Sequence, residues 1–78
     1  MSMDSLYEIA GSNRGWAADR AAMVIAIKEQ FDAGQISSAE ARELMVDLVR
    51  TDTLDQEADD MELKSALIAA IYAVSRVV

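Results

Sequence analysis

Residues 31–40 read Phe31-Asp32-Ala33-Gly34-Gln35-Ile36-Ser37-Ser38-Ala39-Glu40, a helix stop followed at once by a helix start. Gly34 is the expected left-handed residue just past a helix end, a conformation in which a Cβ is penalised. Ser37 and Glu40 then stand at capping-box spacing. In that motif the serine oxygen accepts from the amide three residues on, and the glutamate reaches back to the serine N–H. Ile36 tucks under the turn between them. These ten residues predict two helices joined by a short turn.

Upstream, helix one is expected over residues 15–33. Ala17, Ala21, Val24, Ile27 and Phe31 follow the 3.6-residue period and make a core stripe. Residues 21–27 are apolar all the way round, which calls for cover on more than one side. Before it, Ser5 with Glu8 at capping-box spacing and Gly11 as a stop predict one or two helical turns, pinned to the body by Leu6 and Ile9. Gly11-Ser12-Asn13-Arg14-Gly15 is a connector in which Ser12 or Asn13 would cap helix one.

Downstream, helix two covers residues 37–50 and buries Ala41, Leu44, Met45 and Leu48, while Glu40, Glu43 and Asp47 stay wet and Val46 and Val49 widen the apolar flank. Helix three has two competing starts. Thr53 with Gln56 is one capping box, and Asp59 with Glu62 is an acidic variant near residue 60. A straight helix from Thr53 to Val78 would be about 37 Å long against about 20 Å for helix two. It would overshoot the end of helix one with residues 66–78, the most apolar stretch of the chain. A patch of that kind marks a contact, so the long helix implies a second copy or another protein. The later start gives a helix that fits the bundle. The expected architecture is a single all-α domain over residues 1–78, a three-helix hairpin (about 15–33, 37–50 and 53/60–78) with a short N-terminal helical turn, completed by oligomerisation.

Composition excludes several functions. There is no His, Cys or Pro among the 78 residues. The commonest general base, the thiolate nucleophile and the usual transition-metal ligands are therefore missing. Ser37, Ser38, Ser65 and Ser75 have no histidine to activate them, so no enzyme, cofactor or metal is expected. Fourteen acids against seven bases give a net charge of −7, and the bases are scattered singly. Direct binding of nucleic acid or of an anionic membrane is disfavoured. Nothing resembles a signal peptide or a membrane span, so the expected setting is cytoplasmic. With 53% hydrophobic residues the chain is no disordered acidic tail.

Two groups of residues are candidates for function. Trp16, Met23, Val24 and Ile27 of helix one, with Leu63, Leu67, Ile68, Ile71, Tyr72, Val74 and Val78 of helix three, are the expected contact surface, and Ile71→Asp should then dissociate the particle. Six of the fourteen acids, Asp52, Asp55, Glu57, Asp59, Asp60 and Glu62, fall in one run without a base. The run lacks the central glycine of a calcium loop. Its plainer reading is a solvated helix start set against the macrodipole. The alternative is an imitation of a phosphate backbone that occupies a nucleic-acid-binding protein. Gly11 to Gly15 does not end as a phosphate loop does.

The turn quoted above, with residues 31–50 around it, resembles the SHOCT-type short helical hairpin: an apolar helix end, Asp-Ala-Gly, a further residue, Ile, Ser, then an acidic helix start. The resemblance implies an oligomerisation or accessory module without a catalytic site and transfers no functional residue. Short acidic helical chains without cysteine also resemble phage-encoded accessory or virion proteins. The sequence thus leads to a non-enzymatic assembly protein, partnered by itself or by another protein. Its alternative is an acidic inhibitor.

Overall fold

The computed structural model describes residues 2–50 and 52–78, with the backbone alone at positions 2, 52 and 53. Five helices follow one another: α1 (Ser2–Ala10), α2 (Gly15–Asp32), α3 (Ser38–Arg50), α4 (Asp52–Glu57) and α5 (Met61–Ser75), with no strand among the described residues. The fold is all-α, as the caps and the 3.6-residue apolar stripes predict.

The α2–α3 turn forms as its chemistry dictates. Gly34 adopts φ +75°. The Gln35 amide donates to the Gln30 carbonyl at 2.9 Å and the Gly34 amide to Phe31 at 3.0 Å, the two bonds of a Schellman stop. Both bonds of the capping box are present: Glu40 N–H to Ser37 Oγ and Ser37 N–H to Glu40 Oε1, each 3.1 Å. The Ser37 amide and then its hydroxyl hold the Glu40 carboxyl below its ordinary value.

Other ends differ from expectation. The first helix begins at Ser2, so Ser5 lies inside it and not at its cap. Leu6 and Ile9 are indeed buried, with Met3 packed beside them, and this contact with the body supports the extra turn. Arg14, rather than Ser12 or Asn13, is the N-cap residue of α2, and it gives no side-chain cap. Its carbonyl takes the Ala17 and Ala18 amides, while Ser12 Oγ accepts from the Arg14 amide at 3.4 Å. The long third helix does not form. Short α4 is followed by residues 58–60, and α5 then starts behind Asp60, whose Oδ1 accepts from the Leu63 amide at 3.0 Å. The proposed Thr53 cap involves a side chain outside the described residues.

α2 and α5 form the centre, and α1 and α3 each pack against both. That arrangement covers the two all-round apolar helices on more than one side within one chain and leaves an outer side of each open. The core joins Leu6 and Ile9 to Ala17, Ala21, Val24, Met45, Leu54, Leu67, Ala70, Ile71 and Val74. Leu44 was expected in it but is 44% exposed. α3 meets its neighbours along Ala41 and Met45, and Leu44 lies round the helix on the open flank. At 1.5 Å per residue, α5 with 15 residues is shorter than α2 with 18, so no apolar end overshoots. The accessible area of 4692 Å² is close to the roughly 4,650 Å² of a folded monomer of this mass. At the chain's end, Ser38 Oγ and Arg42 Nη2 both donate to the Val78 carbonyl, at 2.7 and 3.1 Å, and clip it to the start of α3.

Candidate functional site

The acidic run is engaged within the chain. Asp59 uses both oxygens, Oδ2 accepting from Arg14 Nη1 at 3.1 Å and Oδ1 from the indole Nε1 of Trp16 at 3.0 Å. Arg20 Nη1 donates to Glu57 Oε2 at 3.1 Å and to the Trp16 carbonyl at 2.9 Å. Lys64 Nζ pairs with Asp55 Oδ1, and Asp60 caps α5. Four residues of the run are thus tied to α2 or α5. The carboxylates of these ion pairs are exposed, and such pairs contribute about 0–1 kcal/mol each. They orient the segment, while Leu54, buried in the core with Ala58 packed against it, anchors it. The Asp52 side chain lies outside the described residues, and Glu62 stands on the exposed side of α5. Among the described residues no group of three carboxylates is arranged to hold a metal ion.

The expected contact residues divide three ways. Val24, Leu67, Ile71 and Val74 lie in the chain's own core and present no surface. This corrects the expectation that they meet a partner: α1 and α3 already cover the faces that carry them. Trp16, Ile27, Leu63, Ile68 and Val78 are half-buried at the edges of that core. Met23 and Tyr72 are exposed. Met23 projects from the side of α2 opposite Ala21, as a separation of two helical residues requires.

What is left open on α5 is one side of the helix. Met61, Ile68 and Tyr72, at steps of seven and four, share a line. Met61 is 66% exposed and Tyr72 39%. Ser65, Ala66 and Ala69 on the same outward half are exposed too. Sequence reasoning did not separate Ser65 and Ala69 from their neighbours, because residues 66–74 are apolar on every face. Arg14, Arg20 and Lys64 were equally missed as partners of the acidic run. Their only signal is a base at the head of each helix next to it.

Among the described residues, shallow surface grooves lie elsewhere. Two follow the outer side of α3, lined by Arg42, Glu43, Val46 and Arg50 and by Glu40, Glu43, Leu44 and Asp47. A third sits at the end of α2 beside Ala33 and Gln35. None of these linings sets a hydroxyl nucleophile against a base. No described helix is long and apolar enough to cross a membrane.

Comparison with known protein families, curated proteins and solved structures finds no match to this chain.

Proposed function

We propose that this protein is a non-enzymatic helical interaction protein that assembles, with itself or as a small subunit of a larger complex, through the outward side of α5. The observation that carries the reading is the line of Met61, Ile68 and Tyr72 along the outward side of α5, open at Met61 and Tyr72 and half-buried at Ile68. A tyrosine and a methionine held in the open on a regular helix are the residue types enriched where proteins meet. The likeness of residues 31–50 to a hairpin regarded as an oligomerisation module supports it. So does the acidic run, whose carboxylates answer the chain's own bases; that use favours assembly over a decoy for a nucleic-acid-binding protein. The setting we assign is cytoplasmic, or the virion if the chain is phage-encoded.

Tyr72→Glu tests the reading, because the side chain is exposed and the fold should survive. Light scattering over a concentration range, with a pull-down from the native host, should show association by the parent chain and its loss in the variant. Association that Tyr72→Glu leaves unchanged would place the contact elsewhere and overturn the assignment.

A further inference from the structure

The outward side of α5 carries a second regularity, and the following inference rests on the assembly reading. Glu62, Ser65, Ala69, Tyr72 and Arg76 recur at steps of three, four, three and four, the spacing of a two-helix seam. All five are exposed. Arg76 lies one residue past the helix, but its backbone keeps the helical conformation (φ −80°, ψ −19°), so it stays in line. Among the described residues neither Glu62 nor Arg76 has an ion-pair partner, although Arg14, Arg20, Lys28 and Lys64 all do. The face thus holds an acid at one end, a base at the other and alanine in the middle.

We propose that a second copy of this chain docks on this line, the two α5 helices running antiparallel about a two-fold axis at Ala69. Ala69 lies seven residues from each charge. The two-fold therefore sets Glu62 of each copy against Arg76 of the other, twice over. A parallel pair would set Glu62 on Glu62 and Arg76 on Arg76, which repels at both ends. Size is complementary as well. Ala69 faces Ala69 and lets the backbones approach closely, while each Tyr72 ring lies over Ser65 of the other copy. Met61 and Ile68 flank the seam and are covered by the pairing. Such an interface, one side of one helix, falls below about 1,200 Å² and belongs to the weak, reversible class.

The chain has no cysteine, so single thiols report the geometry. Ala69→Cys under mild oxidation should give a disulfide-linked dimer. Glu62→Cys should not, because the two positions sit about 21 Å apart along antiparallel helices. Charge reversal adds a second arm. Glu62→Arg alone and Arg76→Glu alone should each weaken self-association roughly tenfold, since both end pairs become repulsive. An equimolar mixture of the two variants should recover it, because each mixed dimer restores both opposite-charge pairs. Circular dichroism confirms that these surface variants stay folded. A parent dimer that neither links through position 69 nor recovers on mixing overturns the antiparallel pairing and leaves the assembly reading standing. A parent chain that sediments as a monomer at roughly millimolar concentration, the weak limit of specific affinity, overturns the pairing outright. The assembly reading falls with it only if the host pull-down is also empty.

Discussion

Leu54 and Leu44 should behave opposite to what their neighbourhoods in the sequence imply. Leu44 belongs to a regular apolar stripe of α3 yet is 44% exposed. Leu54 stands alone among carboxylates yet is 1% exposed and joins the core that holds Met45 and Leu67. Truncating a buried leucine to alanine loses about 0.8 kcal/mol for each carbon removed, roughly 2.4 kcal/mol before any cavity is counted. Cavity terms raise such costs to about 2–5 kcal/mol. Leu54 rides on a six-residue helix that can settle inward, so its loss should fall near 2–3 kcal/mol. Leu44→Ala keeps a good helix former on an open flank and should stay within about 0.5 kcal/mol. In a domain of this size 1 kcal/mol moves Tm by roughly 4–8 °C. Leu54→Ala should therefore lower Tm by roughly 8–24 °C, and Leu44→Ala by no more than about 4 °C. Thermal and urea unfolding followed by far-ultraviolet circular dichroism measures both. If Leu54→Ala costs as little as Leu44→Ala, α4 is not docked and the acidic segment is a free loop.

Ile71→Asp, which the sequence alone would offer as an interface mutation, should unfold the chain, because Ile71 is fully enclosed and an unpaired carboxylate there is costly; a folded, merely dissociated variant would contradict its burial. Ser37→Ala should lose about 1 kcal/mol of cap stability. Because the folded Glu40 value lies below its ordinary 4.5, its contribution is present above that pH and fades as pH falls through the lowered value; urea midpoints across that range should show Ser37→Ala with a flatter acid limb than the parent. Asp59→Ala removes the acceptor of the indole N–H of the single tryptophan, so Trp16 fluorescence should shift while stability changes by less than about 1 kcal/mol; unaltered emission would argue that the Asp59 contact does not form.

The turn at residues 33–40 was legible because its chemistry is local: glycine for a positive φ, serine and glutamate for two orphan amides. The stripe Ala17, Ala21 and Val24 was legible because α2 has distinct neighbours along one side. Leu54 was not, because a single large apolar residue in a six-residue helix has no period to read. Leu44 misled for the converse reason. A stripe fixes which side of a helix is apolar but not how wide its neighbours are, and α3 is fully buried only at Ala41 and Met45, with Leu48 and Val49 half-buried beside them. The start of the last helix was open between two caps. It was settled toward Asp60 once residues 54–59 had partners of their own on α2, α5 and the core.

The outer seam of α5 was hidden by abundance. Where every residue from Ala66 to Val74 is apolar, the sequence cannot say which side faces in, and it places Leu67, Ile71 and Val74 in the contact beside Tyr72. Leu67, Ile71 and Val74 face inward, and the outward positions take Glu62, Ser65, Ala69 and Arg76 together with Met61 and Tyr72. That division separates folding from association. A contact made of Leu67 and Ile71 would make the monomer depend on its partner, with a Tm that climbs with protein concentration. A contact made of Glu62, Ser65, Ala69, Tyr72 and Arg76 leaves the core complete without it. On the proposed pairing, Tm should therefore be nearly independent of concentration below the dimer's dissociation constant. It should rise only by the mass-action increment above that point, while the charge-reversed variants keep the parent's monomer Tm. A steep concentration dependence from the lowest measurable concentration would mean that the bundle does not close alone, and the reasoning from its self-sufficient core would fail.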